Sequence, residues 1–326
     1  MSLIMVSGGL YPENWKSIQK KNGENFIRFN TAELLILDWD TKSVIKKINH
    51  ISEPEALNPS LMFKGSEISE GIARVVTNTE IVEYDLKTYE KINVITDKTF
   101  NDLHAVSKIG DEIYLVNTGL EMLQVIDGSG SVIREYNMAE SDTWTRFDKD
   151  FDYRHTGSTK PHESHINNVF EIDNEIFVTR LLQKDAADLS NNSVFNVEVG
   201  NPHDGLLYEG KVYFTTTNGH VVVFDAKTKE RIGVYDINKI LEDSNYKSGG
   251  WCRGIMPMGN NKVLVGYTQL RHTKFKEFVS MTIKMGDKPA PTRILEVDLD
   301  NGLITDEYVY PDVGNNGAAI FSIHHI

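Results

Sequence analysis

Leu206-Leu207-Tyr208-Glu209-Gly210-Lys211-Val212-Tyr213-Phe214, with Val221-Val222-Val223-Phe224-Asp225 a few residues on, reads as three strands joined by tight turns. Short runs of Val, Tyr and Phe bounded by Gly, Asn and Asp have the composition of strands. The first half of the pattern is a strand, a polar turn and a second strand. It recurs at His104 to Val116, at Val169 to Val178 and at Ile255 to Val265. The second half, an apolar run closed by Asp, recurs at Asp38, Asp85, Asp127 and Asp298. Thr41, Thr88 and Thr228 each lie three positions after their Asp. An Asp at that place bonds backbone N–H groups just downstream and suits a tight turn.

Four strands in each unit of roughly 40–50 residues is the signature of a β-propeller. The expected fold is therefore all-β: one β-propeller domain over residues 1–326, most simply of six four-stranded blades, with seven the alternative because insertions blur the count. The units centre on Asp38, Asp85, Asp127, a degenerate copy near Ser193-Val194-Phe195-Asn196-Val197, Asp225 and Asp298. The chain opens on what looks like a second strand, Leu3 to Ser7, and ends on an orphan inner strand, Ala318 to Ile323. Pairing of these N- and C-terminal strands would close the ring and remove two open edges. Short helical turns are expected at Trp15 to Lys20 and at Ile237 to Tyr246. Two insertions, near 141–164 and 271–291, break the repeat and are placed to cover one face of the ring. Loops of that length are usually functional or disordered.

Composition narrows the function. Lys and Arg number 34 against 47 Asp and Glu, a formal charge of −13 over 326 residues. That balance argues against a nucleic-acid or anionic-membrane partner, which would call for a basic surface. No apolar run reaches the 18 residues that spanning needs. The start, Met1 to Gly9, lacks the basic region and longer apolar run of a signal peptide. Cys252 is the one cysteine. No intrachain disulfide can form, and a cytoplasmic setting is expected.

The repeat also brings polar residues into register. Counting back five from Ile109, Ile172, Tyr208 and Met258 lands on His104, Asn167, His203 and Arg253. The first strand of each propeller blade lines the axis, so these side chains should converge at one end of it. Two positions earlier stand Asp102, His165, Asn201 and Trp251, on the same strand face. Laying Pro54-Glu55-Ala56-Leu57 on Pro202-His203-Asp204-Gly205 adds Glu55 to the ring.

The chemistry of this set is specific. Neutral imidazoles serve as acids and bases near pH 7, which makes His104, His165 and His203 candidate catalytic groups, with Asp102 able to orient one of them. Arg253 offers a planar fork for a carboxylate or phosphate. Asn167 can bond a hydroxyl or an oxyanion. Trp251 is the one obvious aromatic platform. The same donors, His104, His165, His203 and Glu55, could bind zinc or manganese. His162-Glu163-Ser164-His165 lacks the helical spacing of a zinc protease motif. Asp127-Gly128-Ser129-Gly130 is a turn and not a phosphate loop, so no nucleotide cofactor is expected.

Asp102-Leu103-His104, Val116-Asn117-Thr118, His165-Ile166-Asn167, Pro202-His203 and Arg253-Gly254, in this order, resemble a family of poorly characterised bacterial β-propeller proteins, a domain of unknown function. The resemblance covers roughly residues 50–270. It implies the fold and the site, and no reaction. The functional expectation is an enzyme of lyase or hydrolase type acting on a small polar substrate, anionic or carbohydrate-derived, in the axial channel. The alternative is a non-enzymatic scaffold for protein or sugar binding, with Trp144, Tyr153 and Phe278 as exposed contacts.

Overall fold

The computed structural model describes residues 2–12, 29–58, 60–191, 193–244, 250–269, 290–311 and 317–326. Strands β1 (Leu3–Leu10), β2 (Thr31–Asp38) and β3 (Ser43–His50) begin the first blade. The second holds β4 (Ser66–Ser69), β5 (Ile72–Val76), β6 (Ile81–Asp85) and β7 (Lys91–Ile95). The third holds β8 (Leu103–Ile109), β9 (Glu112–Asn117), β10 (Met122–Ile126) and β11 (Val132–Asn137). The fourth holds β12 (Ile166–Ile172), β13 (Glu175–Arg180), β14 (Asp185–Asp188) and β15 (Val194–Asn196). The fifth holds β16 (Leu206–Tyr208), β17 (Lys211–Thr215), β18 (His220–Asp225) and β19 (Arg231–Asp236). The sixth holds β20 (Trp251–Gly259), β21 (Lys262–Thr268), β22 (Arg293–Asp298) and β23 (Leu303–Val309). Finally β24 (Ala318–His325) pairs antiparallel with β1, Leu10 opposite Ala318 and Ile4 opposite His325, and completes blade 1 from inside. Six four-stranded blades in a ring make a six-bladed β-propeller.

The hairpins explain the repeat. Between the two inner strands of four blades the turn is two residues long, and both take positive φ: Glu70-Gly71, Asp173-Asn174, Glu209-Gly210 and Asn260-Asn261. This is the mirror-image turn whose twist matches the flanking strands. On the outer side the Asp works as expected. Asp85 accepts from Lys87 N at 2.9 Å and Thr88 N at 2.7 Å, and Asp225 from Lys227 N at 3.0 Å and Thr228 N at 2.7 Å.

One unit needs correcting. The fourth blade's turn Asp is Asp188, which accepts from Ser190 N and Asn191 N, both at 2.8 Å. Residues 193–197, read as the degenerate copy, instead span the outer strand β15. β14 is Asp-Ala-Ala-Asp and carries no Val or Ile run to announce it.

Burial follows the ring. There is no single central core; six clusters lie between successive blades. Met5, Leu34 and Ile36 meet Phe63, Val75 and Val82 between blades 1 and 2, and Phe170, Phe177 and Phe195 meet Phe214 and Phe224 between blades 4 and 5. The outer strand β3 is exposed along most of its length.

The insertion at 141–164 falls between blades 3 and 4. It carries helix α1 (Thr143–Arg146) and a 3-10 turn, Tyr153–His155. Asn101 donates to the carbonyls of Tyr153 and Thr156, both at 2.8 Å, and Asn58 donates to those of Arg154 and Thr156. Blades 2 and 3 thus pin it down. The expected turn near residue 237 is helix α2 (Ile237–Asp243). The expected turn at 15–20 and nearly all of the insertion at 271–291 lie outside the described residues. Among those residues no helix is long and apolar enough to cross a membrane.

Candidate functional site

The inner strands begin with an irregularity that aims side chains at the axis. In blade 3 Leu103 pairs with Asn117 and Ala105 with Val116, leaving His104 as an extra residue. In blade 4 Ile166 pairs with Arg180 and Asn168 with Thr179, leaving Asn167. In blade 6 the shift between Cys252 and Ile255 takes in Arg253 and Gly254. Such bulges bend a strand and redirect a side chain. Just before two of them the backbone adopts the left-handed region at non-glycine residues, φ 49° at Asp102 and 55° at His165. Conformations of this kind cost about 1–3 kcal/mol and persist where the surroundings over-determine them.

For His165 the surroundings are on view. Glu121, fully buried, accepts from the N–H groups of Glu163 and His165 at 2.9 Å and from that of Ser164, while Arg146 Nη1 donates to it at 2.6 Å. One carboxylate from the β9–β10 turn thereby fixes the end of the insertion and the turn that presents His165. Nothing in the sequence marked Glu121, which reads as an ordinary turn residue.

Three imidazoles gather. The His104 ring lies 5.1 Å from that of His165, edge to face, and 6.2 Å from that of His203. His104 Nδ1 donates to the backbone carbonyl of Asp102 at 2.7 Å, so its hydrogen sits on Nδ1 and the neutral ring keeps its lone pair on Nε2. His162 and His165 share a hydrogen bond between their Nδ1 atoms at 2.7 Å. His203 Nδ1 has the Asp204 carboxylate at 3.5 Å, and neither ring nitrogen makes a hydrogen bond among the described residues.

The position in blade 2 departs from the sequence reading. Glu55 is exposed on a 3-10 turn, Pro54–Ala56, which packs against the turn at 153–155. The residue that meets the axial group there is Lys64, 1% exposed, whose ammonium is hydrogen-bonded to Asp102. Gly65 follows it because the chain passes hard against blade 3. Gly65 N donates to the His104 carbonyl at 2.8 Å, and a Cβ there would fall 2.4 Å from that oxygen. Arg253 stands over two rings, 4.8 Å from Phe321 and 5.2 Å from Trp251, a cation–π arrangement. Asn201 accepts a backbone bond from Thr217 N at 2.9 Å.

Burial sets the charges. It lowers the pKa of His104 well below the ordinary value, with Lys64 adding to the effect, lowers that of His203, and takes His165 down to about 3. All three rings are neutral at pH 7. Burial would raise the Asp102 carboxyl, but Lys64 and then His104 outweigh it and hold it well below the usual carboxylate range. Because the folded imidazoles resist protonation, the unfolded chain binds more protons below about pH 6.5. Stability is expected to be full above that value and to fall as the pH drops toward 4, by up to about 1.4 kcal/mol per pH unit for each neutral ring. Denaturant titrations at pH 7 and pH 5 check this. The slope should flatten in His165→Gln, and equal stability at both values would contradict it.

Among the described residues no group of three or more His, Cys, Asp or Glu is arranged to hold a metal ion. Glu55 is elsewhere, and a buried ammonium stands in its place. Tyr153, expected as an exposed contact, is buried against Leu120 and Met122. Trp144 is half-buried with its Nε1 bonded to Glu135 at 3.0 Å, and Phe278 lies outside the described residues.

The chain is thus a six-bladed β-propeller with a polar, imidazole-rich axis. It is similar across its whole length to a protein of unknown function from Bacteroides caccae, at 10% identity, TM-score 0.63, covering 100% of this chain and 99% of that one. The nidogen/laminin complex also contains a similar chain, at 10% identity and TM-score 0.56, covering 98% and 97%. A catalytically inactive virginiamycin B lyase from Staphylococcus aureus with quinupristin matches at 12% identity and TM-score 0.47, over 78% of this chain and 72% of that one. Likeness at such identities speaks for the fold alone. No family model and no curated protein matches the sequence.

Proposed function

We propose that the strand-start end of the axis is the active centre of an enzyme that performs acid–base chemistry, of lyase or hydrolase type, on a small polar substrate bearing an anionic group. The observation that carries this reading is the edge-to-face pair His104 and His165, 5.1 Å apart and neutral, beside the buried Lys64 and its part-exposed partner Asp102. In this reading His104 Nε2 takes a proton from the substrate. His165, linked to His162, takes up a proton from solvent once the substrate anion is bound, gives it to the leaving group and is left neutral, while His104 releases its own to solvent. The guanidinium of Arg253 holds the carboxylate, with Trp251 and Phe321 fixing its plane. A bound anion raises the pKa of nearby imidazoles. Substrate would therefore bring these depressed rings toward the range in which proton transfer is efficient.

Thermal unfolding in the presence of glycerate, D-glucuronate and other small hydroxy acids tests the anion-binding half. A ligand at a hundred times its Kd should stabilise the fold by about 2.7 kcal/mol. The shift should vanish in Arg253→Met. A shift that survives Arg253→Met, or none with any carboxylate, would remove Arg253 from the role.

One observation favours a second reading, a protein-binding face. Leu57 and Phe151, each 51% exposed, flank the paired 3-10 turns at 54–56 and 153–155 on the side where the insertion lies. They are two residues among many exposed apolar ones, and the axial site carries more.

A further inference from the structure

The imidazole cluster has a second side. A cavity of about 260 Å³ runs along the axis from His104, Asn167 and His203, at the starts of their strands, to Lys108, Glu171 and His324 near the opposite ends. Asp102, His165 and Arg253 do not line it.

The inner end of this cavity is short of partners. Asn167 is 1% exposed, and its Nδ2 donates to the Pro202 carbonyl at 2.9 Å, which fixes the amide's orientation and leaves Oδ1 without a hydrogen bond. His203 is 4% exposed; its Nδ1 faces the Asp204 carboxylate at 3.5 Å, and its Nε2 makes no hydrogen bond among the described residues. His324, further along, has an unbonded buried Nε2. Unpaired buried polar atoms are costly, and a site whose polar groups await a ligand is a recurrent reason for them.

The missing partner has a definite character. An amide oxygen only accepts, so it asks for an O–H or N–H donor and repels a carboxylate. A neutral imidazole donates once and accepts once, which matches a hydroxyl. The cation on the cavity wall, Lys108, is committed to Glu70 at 2.5 Å, and the Glu67 carboxylate is bonded to Arg74 at 2.6 Å. No unpaired cation lines the cavity among the described residues. The Phe321 ring, 5.9 Å from that of His203, supplies an apolar face. The volume sits just below the range of about 300–1,000 Å³ usual for ligand pockets.

We propose that the axial cavity binds a neutral polyhydroxylated ring, a monosaccharide or cyclitol, with Asn167 Oδ1 and His203 bonding its hydroxyls. The inference deepens the acid–base reading and rests on it only in assigning this ring to the substrate.

Calorimetric titration of D-glucose, myo-inositol and D-glucuronate into the wild type, Ser107→Trp, Leu207→Trp and Arg253→Met tests it. Ser107 and Leu207 line the cavity and belong to neither the imidazole set nor the anion contacts. Leu207 is 40% exposed, so its substitution keeps the test open should Ser107→Trp fail to fold. The expected result is that a neutral ring binds the wild type, binds at least about tenfold more weakly to the tryptophan variants, a loss of about 1.4 kcal/mol, and is unaffected by Arg253→Met. Binding of neutral rings that both tryptophan variants retain, or no such binding at all, overturns the cavity assignment. Glucuronate binding that depends on Arg253 and ignores the tryptophans would overturn this inference while leaving the anion site standing. Glucuronate bound in the cavity with neutral rings excluded would overturn the ligand class.

Discussion

Asp102→Ala is expected to cost about 3–5 kcal/mol of stability, because it strands a buried ammonium. Lys64 is 1% exposed and its charge is met by Asp102. Burial already lowers its pKa, Asp102 opposes that, and Arg253 and Lys160 push the same way as burial. Without the carboxylate only the unfavourable influences remain. The variant should recover stability as pH rises from neutral toward about 10, since the folded lysine then sheds a proton that the unfolded chain still holds. Adding Lys64→Met should restore most of the loss, as an apolar side chain of similar length replaces an ion pair at little or no cost. Urea titration of the single and double variants gives the cycle directly. A loss below about 1 kcal/mol, or no recovery in the double variant, would mean that water reaches the Lys64 ammonium in the folded chain.

The second large effect concerns chemistry. His104→Gln and His165→Gln should each slow turnover of a hydroxy-acid substrate by about 10²–10⁴-fold, the range for loss of a positioned acid or base. KM should change far less. Arg253→Met should show the opposite split, raising KM more than it lowers kcat. The proton step can be read without knowing the final product. In D2O, deuterium should enter the carbon beside the carboxylate, and His104→Gln should abolish that entry. Variants that exchange and turn over within threefold of wild type would reduce the imidazole cluster to a structural one.

Much of the fold was legible because propeller blades repeat a local grammar. Asp85 and Asp225 announce their turns, and Glu209-Gly210 its hairpin, with residues whose chemistry is fixed by neighbours one to four positions away. His104, Asn167, His203 and Arg253 could be placed by counting from those hairpins. Lys64 was within reach of the same count, five before Ser69 and its Glu70-Gly71 turn. It was missed because β4 is only four residues long and lacks an apolar run, and because a lysine reads as surface until its carboxylate is seen. Pro54-Glu55 imitated Pro202-His203 closely enough to mislead. The fourth turn escaped for a similar reason: two alanines pack where other blades use Val or Ile. Glu121 was invisible, and Tyr153 read as exposed, because their roles depend on a loop that returns over the ring, and no local pattern records where a loop lands.

Blade 1 takes three strands from the start of the chain and its innermost strand, β24, from near the end. A chain leaving the ribosome therefore exposes the inner edge of β1 while five further blades are made. An open edge of that kind is a template for any strand that meets it, and its proper partner is the contact of greatest sequence separation in the molecule, late and entropically costly to form. Ring closure is thus a contest between a chain's own last strand and the last strand of a neighbour. At high concentration the neighbour can win, and the product would be a strand-swapped dimer in which each axis, with its histidines, is completed by the other chain.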